Sequence, residues 1–356
     1  MSYSFGKSLR MHVFGESHGK MIGVVVEGVP PGMRIDTGLI QVELDKRRPG
    51  TNRHTSPRRE EDVLKVLSGT LDGKSTGAPI AMAIENKDVI SNDYSDFRER
   101  PRPGHADLPA TVRYGGYHDI RGSGVFSGRM TAAFVMAGAL ARQILDARDI
   151  KVSARLVQIG KANASMTSGA EGGAAITREM ESEIDKAMGS GDSVGARIEC
   201  VVYNMPIGVG EPMFDSIESV IAHAMYSIPA VKAVSFGAGF DLAGMRGTDA
   251  NDEYRFENGR IVTMTNNNGG VLGGMSNGMP VVFHVAVKPT PSISTSQRTV
   301  DLEKMTNCDI EIKGRHDPCI GLRALPVVEN MAAFCIADLI MRCEDGKDKG
   351  IEKKNR

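Results

Sequence analysis

GSGVFSGRMTAAFVMAGALARQILD, Gly122 to Asp146, carries the strongest local pattern in the chain: a glycine-rich turn, Ser127 as a helix N-cap, then a helix from about Gly128 to Asp146. Met130, Phe134, Gly138, Ala141 and Leu145 share one of its faces. Small residues dominate that face, so the helix is expected to be buried and closely packed. The same stretch offers unpaired amides, the positive end of a helix dipole and Arg129 to an anion. Its spacing matches neither a Walker A loop nor a dinucleotide fingerprint.

Outward from this helix, Thr177 to Met188, closed by Gly189, reads as a second one. Asp215 with Glu218 reads as a capping box opening a third, which runs to about Tyr226, and a fourth spans roughly Val327 to Cys343. Strand-like runs are Met11 to Phe14, Ile22 to Glu27, Ile80 to Glu85, Ala196 to Tyr203 and Val281 to Val287. No linker or composition break divides the chain. This predicts a single α+β domain, residues 1–343, with helices covering sheets, and a charged, frayed tail, residues 344–356. Gly69, Leu71, Gly73, Ser75, Gly77, Pro79 and Lys87 recur as Gly270, Leu272, Gly274, Ser276, Gly278, Pro280 and Lys288, at a constant separation of 201. Glycine-rich hairpins coincide by chance; the alternative is a pseudo-symmetric core of two related sheet units.

Among 356 residues, 43 Lys and Arg oppose 44 Asp and Glu, so no global field attracts nucleic acid or an anionic membrane. Any anion site must be local. The most apolar run, Met130 to Leu140, is too short for a bilayer, and the N-terminus lacks a signal-peptide core, so a cytoplasmic protein is expected. Five cysteines, with no CxxC spacing, read as reduced, mostly buried thiols rather than disulfides or a zinc site. Forty-one glycines suit a backbone that approaches a ligand closely.

Four further segments bear chemistry. GESHGK, Gly15 to Lys20, sets Ser17 and His18 between glycines after a strand, and is either a catalytic loop or a strand-ending turn. KRRPGTNRHTSPRR, Lys46 to Arg59, has six Lys and Arg and no acid. Its guanidinium forks suit phosphate and carboxylate, though a solvated loop or an RNA contact fits the composition too. RPRPGHAD, Arg100 to Asp107, holds His105 on a proline-stiffened loop, for proton transfer or only for structure. KPTPSIS, Lys288 to Ser294, and KGRHDPC, Lys313 to Cys319, add cations, hydroxyls and the carboxylate of Asp317. Neither His18 nor His105 has a partner at metal-ligand spacing and no HExxH occurs, so no metal is expected.

In company, these segments resemble the chorismate synthase family: GESHGKMIG, RRPG, RPGHAD, GVFSGRMTAAFVMAGAL, KPTPSI and GRHDPCIGLRALPVVEN occur in that family's order, from about Gly6 to Cys343. The resemblance implies a β-α-β sandwich core and a homotetramer. It implies a lyase that removes phosphate from 5-enolpyruvylshikimate 3-phosphate by 1,4-anti elimination, giving chorismate, with reduced FMN required but no net redox change. By the same resemblance His18 protonates the departing phosphate, His105 stabilises the reduced flavin by protonation near N1, and Ser17, Ser127 and Asp317 relay the C6 proton through flavin N5. Arg48, Arg102, Arg129 and Arg315 bind substrate, with either Arg53 or the position of His54 as the second arginine of the basic loop. Flavin contacts fall on Val125, Phe126, Ser127, Ala230, Gly274, Lys288, Pro289, Thr290, Pro291, Ser292 and Arg315. Some members also oxidise NADPH, which would place it at Arg48 and His54; others depend on an external flavin reductase. Two departures stand out: VFSGR replaces the common RSSAR, and Pro229 stands where asparagine is common. A non-catalytic anion- or RNA-binding protein on the same scaffold is the competing expectation.

Overall fold

The computed structural model describes residues 3–50, 53–55, 60–87, 96–164, 176–312 and 316–348. The first half of the chain runs β1 (Ser4–Phe5), β2 (Arg10–Gly15), β3 (Met21–Glu27), α1 (Thr37–Arg47), β4 (Lys65–Val66), β5 (Thr70–Leu71), β6 (Lys74–Ser75), β7 (Ile80–Glu85), α2 (Asp107–Tyr114) and α3 (Thr131–Asp146). The second runs β8 (Lys151–Ile159), β9 (Ala162–Asn163), α4 (Arg178–Gly189), β10 (Ala196–Tyr203), α5 (Ile217–Tyr226), β11 (Val231–Phe236), α6 (Gly247–Ala250), β12 (Tyr254–Glu257), β13 (Arg260–Thr263), β14 (Val271–Leu272), β15 (Met275–Ser276), β16 (Val281–Val287), β17 (Gln297–Asp301), β18 (Thr306–Ile310) and α7 (Gly321–Asp348).

Two antiparallel sheets, ordered β1-β2-β3-β7-β4 and β11-β16-β10-β8-β9, enclose the long helices. Helix α3 packs on β2, β3 and β7, α7 packs on β8 and β10, and the two helices pack on each other. Helices α3 and α7 therefore lie between the sheets and α4 packs on β8 and β9, so helices cover sheets as expected and the sandwich is present. Its consequence is visible in α3, which is apolar nearly all round because both of its sides are buried. The side chain of Ser127 caps the helix as expected, accepting from Arg129 N at 3.3 Å, and the first turn, Gly128–Met130, is a tighter 3₁₀ turn.

Other boundaries shift. The third helix is capped by Ser216, whose Oγ accepts from Ser219 N at 3.0 Å, while Asp215 pairs with Lys7 at 2.6 Å. The fourth starts at Gly321 and includes Pro326, which lies in its second turn, where only one backbone bond is lost. It continues to Asp348, past the expected boundary at Cys343, and residues 349–356 lie outside those described. Its stretch Gly321–Glu344 is long and apolar enough to cross a membrane, yet most of it is buried inside the protein. All five cysteines are free, and burial pushes the Cys319 thiol up to about 11.

The repeat is architectural. Strands β5, β6 and the start of β7 map onto β14, β15 and the start of β16 at the separation of 201. Ser75 Oγ donates to Pro30 O at 2.5 Å and accepts from Met33 N at 3.0 Å; Ser276 Oγ donates to Pro206 O at 2.5 Å and accepts from Val209 N at 2.9 Å. Each hairpin leads into a strand, β7 or β16, that pairs with the corresponding strand of its own sheet, β3 or β10.

Candidate active site

A cavity of about 640 Å³ opens at one end of the helical layer, where α1 and α5 end and α3 and α7 begin. Two helix N-termini and two helix C-termini face this space, so the helix dipoles largely offset one another and any preference for an anion rests on its side chains. Its wall is built from segments far apart in sequence: residues 102 and 104–106, 122–123 and 125–129, 226–232, Lys288 with Thr290 to Ser292, and His316, Asp317, Ile320 and Arg323.

The Arg100–Asp107 loop and the Lys288–Ser294 segment meet face to face. Lys288 Nζ donates to Gly104 O, and a Cβ on Gly104 would touch Pro291 at 3.4 Å. Beneath them Arg102 is buried, with Nε 2.7 Å from Asp107 Oδ2, Nη1 3.2 Å from Ser292 Oγ and Nη2 2.9 Å from Ser123 Oγ. Its guanidinium also stands 4.3 Å from the Phe97 ring centroid. Thus Arg102 is on the cavity wall, but much of its donor capacity goes to holding three segments together. Burial pushes His105 below the usual imidazole value; Arg102 and Lys288 act in the same direction, and Asp107 opposes them. Burial likewise lowers Lys288, with Lys232 adding to the effect.

Ser17 and His18 are buried in the turn between β2 and β3, so the turn reading describes their backbone. They also stand directly behind the cavity wall, against Gly122. Ser17 N donates to Gly124 O at 3.2 Å. Residues 122–124 all take positive φ, which lets the wall bend around the two side chains. Asn86 braces this turn, donating to Glu16 O at 3.0 Å and Gly19 O at 2.8 Å, and accepts from Arg129 Nε at 3.0 Å. Arg129 is further tied to Asp62, whose second oxygen accepts from Arg47 Nη2 at 2.6 Å. Burial would raise Asp62, but Arg47 and Arg129 outweigh it and hold the carboxyl below its usual range. Burial also pushes Arg47 down to about 10. Asp317 is paired with Arg323 Nη1 at 2.7 Å, and Arg323 Nε donates to Arg47 O at 3.1 Å.

Of the expected residues, His105, Arg102, Val125, Phe126, Ser127, Arg129, Ala230, Lys288, Thr290, Pro291, Ser292 and Asp317 line the cavity. Arg48, Arg53, His54, Gly274 and Pro289 do not. Arg48 pairs with Asp45 at 3.5 Å; Arg53 and His54 reach Asp185 on α4 at 3.4 and 2.9 Å. Gly274 forms a turn whose carbonyl accepts from Ile217 N at 3.0 Å. Arg315 lies outside the described residues. Sequence reasoning missed Asp62, Asn86, Ser123 and Arg323; the acids Glu60, Glu61 and Asp62 directly after the basic run were the available signal for the first.

The chorismate synthase family profile matches residues 9–341. A chorismate synthase of Dehalococcoides mccartyi is 46% identical over 354 residues, covering 96% of this chain and 97% of that protein. One from Thermococcus kodakarensis is 47% identical over 348 residues, covering 95% and 97%. A crystal structure of a chorismate synthase superposes with a TM-score of 0.73 at 27% identity, covering 97% of this chain and 96% of that one. The chain therefore belongs to the chorismate synthase family, and it is a lyase that eliminates phosphate from 5-enolpyruvylshikimate 3-phosphate to give chorismate, with the reduced-flavin requirement general to that family.

Proposed function

We propose that the cavity between the ends of α1, α3, α5 and α7 holds FMN in its reduced form beside the substrate, and that His18 and His105 are the acid–base groups. The observation carrying this reading is the convergence of the 102–106, 122–129, 288–292 and 316–317 segments on one wall. The wall fits a flavin: Thr290 Oγ1 is buried there without a hydrogen-bond partner among the described residues, and Lys288 and Lys232 supply cations. Val125 and Phe126 offer apolar surface and backbone, Ser127 its hydroxyl, and Ala230, in the left-handed region at φ 72°, turns its backbone at the wall.

Held there by Lys288, Thr290 and the 125–127 segment, reduced flavin would supply transient electron density for the expulsion of phosphate, with no net redox change. The side chains of the chain do the rest. Arg129, held by Asp62 and Asn86, presents a preorganised cation to the phosphate or a carboxylate. His18 protonates the departing phosphate, and Ser17, Ser127 and Asp317 carry the proton released from C6, with Arg323 orienting Asp317. Arg48, Arg53 and His54 do not line the cavity and pair instead with Asp45 and Asp185, whereas Ser17 and His18, also outside the lining, abut the wall residue Gly122. We therefore favour reduction of the flavin by an external reductase over an NADPH site on Arg48 and His54.

The chain acts as one catalytic domain and assembles as a homotetramer, consistent with the apolar side chains of Phe240, Tyr254, Phe256 and Ile261 that the single chain leaves exposed. Its free thiols suit the reducing cytoplasm. The test is phosphate release from 5-enolpyruvylshikimate 3-phosphate by anaerobic protein with chemically reduced FMN. Turnover should vanish in His18→Ala and His105→Ala while both stay folded; undiminished turnover in either removes that residue from its role. NADPH oxidation coupled to product formation without a reductase would overturn the external source of electrons.

A further inference from the structure

Asp107, the first residue of α2, is 2% exposed and faces two partners at once. Its Oδ2 accepts from Arg102 N at 3.0 Å and Arg102 Nε at 2.7 Å; its Oδ1 accepts from Arg102 Nη2 at 2.8 Å and lies 2.7 Å from His105 Nδ1. Burial alone would raise this carboxyl, but the bonds from Arg102 and His105 outweigh it and hold it well below the usual carboxylate range. An ionised carboxylate only accepts, so the proton of the His105–Asp107 bond belongs to Nδ1.

We propose that Asp107 is the positioning residue of His105, fixing the Nδ1–H tautomer so that Nε2 is the ring nitrogen offered to a ligand in the cavity. In the neutral ring Nε2 is an acceptor, and in the charged ring it is a donor, so one proton added at Nε2 converts the group without moving it. The charged groups facing the imidazole are Asp107, Arg102 and Lys288. Arg102 completes the device: it anchors Asp107 from three donors and bonds Ser123 and Ser292, and its Nη2 stands 3.1 Å from His105 Nδ1 and 3.4 Å from Nε2, where as a donor it can bond only the unprotonated nitrogen, Nε2 in this tautomer. The tautomer follows from this geometry; its use in turnover rests on the role of His105 proposed above.

Long-range ¹H–¹⁵N correlation spectra of imidazole-labelled protein read the tautomer directly, without flavin or substrate. Near pH 8 the wild type should show a protonated Nδ1 and an unprotonated Nε2; the opposite pattern overturns the proposal. In Asp107→Asn the amide oxygen takes the Oδ2 position, where Arg102 has two donors, and its NH₂ meets Nδ1. The ring should then switch to the Nε2–H tautomer, with kcat down about 10²-fold and KM little changed. Retention of both the tautomer and kcat in this variant refutes the positioning role. If Asp107→Asn fails to fold, the wild-type spectrum decides alone. Should the spectrum be as expected while His105→Ala still turns over, the catalytic reading of His105 falls and the tautomer assignment stands.

Discussion

Gly122 and His18 are so close that no side chain fits between them: at φ 58°, a Cβ on Gly122 would lie 2.3 Å from His18 Cδ2 and 2.7 Å from Ser17 Oγ. Gly122→Ala therefore has to displace both groups as well as strain its backbone by about 1–2 kcal/mol. We expect kcat to fall at least about tenfold, as misplacement of an acid–base group does. Gly128→Ala, on the same wall, meets only Ile320 at 3.9 Å and should leave turnover within about twofold. Equal kcat values for the two variants would show that the contact is immaterial.

Asp62→Asn tests the floor of the site. The carboxylate is the shared partner of Arg47 and Arg129, both nearly fully buried, and losing it leaves Arg47 without its carboxylate and Arg129 with Glu60, 3.5 Å away. Breaking such a pair costs about 3–5 kcal/mol. Because Arg129 lies on the cavity wall, substrate affinity should suffer beyond the loss of stability. We expect calorimetric Kd for 5-enolpyruvylshikimate 3-phosphate to rise about tenfold or more in protein that is still folded. An unchanged Kd would place Asp62 in folding alone.

How much of this was legible depends on what each residue's neighbours are. Strands β7, β10 and β16 were readable to the residue, because their apolar runs lie between turn signals, while the 201-residue repeat, open in sequence between chance and pseudo-symmetry, falls on two equivalent hairpins. The start of α7 was not, because Pro326 reads as a boundary when only the local chain is considered. In the site, His18 and His105 were readable as candidates, but their setting was not: Asn86 joins the GESHGK turn to Arg129 across 43 positions of chain. Nothing local to Asn86 marks that bond. The basic loop was open between an anion site, a solvated loop and an RNA contact: Arg48 and Arg53 make exposed ion pairs with Asp45 and Asp185, and the buried Arg47 is the one that reaches the network under the cavity.

Acid should unfold the protein in two stages. His105 titrates below its ordinary value, so the unfolded chain takes up this proton first, and stability falls as pH drops below about 6.5 until the depressed folded value is reached. Asp62 and Asp107 are depressed carboxyls, and hydrogen bonding to His284, with help from Arg155, brings Glu199 down to about 2. Their contribution is complete above about pH 4 and is lost as pH falls through the folded values. Urea midpoints at about pH 8, 5, 4 and 2.5 check this. In His105→Gln the upper step should disappear and the lower one remain; persistence of the upper step would assign it to another group.

Ser75→Ala and Ser276→Ala test whether the two halves are energetic as well as geometric equivalents. Each hydroxyl donates to a proline carbonyl at 2.5 Å and accepts a backbone amide, from Met33 at 3.0 Å or Val209 at 2.9 Å. Removing it leaves those groups without a partner, at about 1–3 kcal/mol. The two losses should agree within about 0.5 kcal/mol and add in the double variant, since the hairpins belong to separate units. Losses that differ by more than about 1.5 kcal/mol would mean that the halves have diverged in what holds them.

Gly138→Ala sets two effects of opposite sign against each other. Gly138 lies inside α3, where intrinsic helix propensity favours alanine by about 1 kcal/mol. A Cβ there would stand 2.2 Å from the backbone oxygen of Asn330 and 2.4 Å from its carbonyl carbon, in α7. Backbone cannot rotate away as a side chain can, so the two core helices must separate, and overpacking of this kind costs about 1–3 kcal/mol or more. The clash should win, giving a net loss of about 2 kcal/mol in urea unfolding. Gly189→Ala at the end of α4, where nothing lies within 4 Å of the added carbon, isolates the propensity effect and should be neutral or stabilising. A Gly138→Ala protein as stable as the wild type would mean that the α3–α7 contact is looser than its geometry indicates.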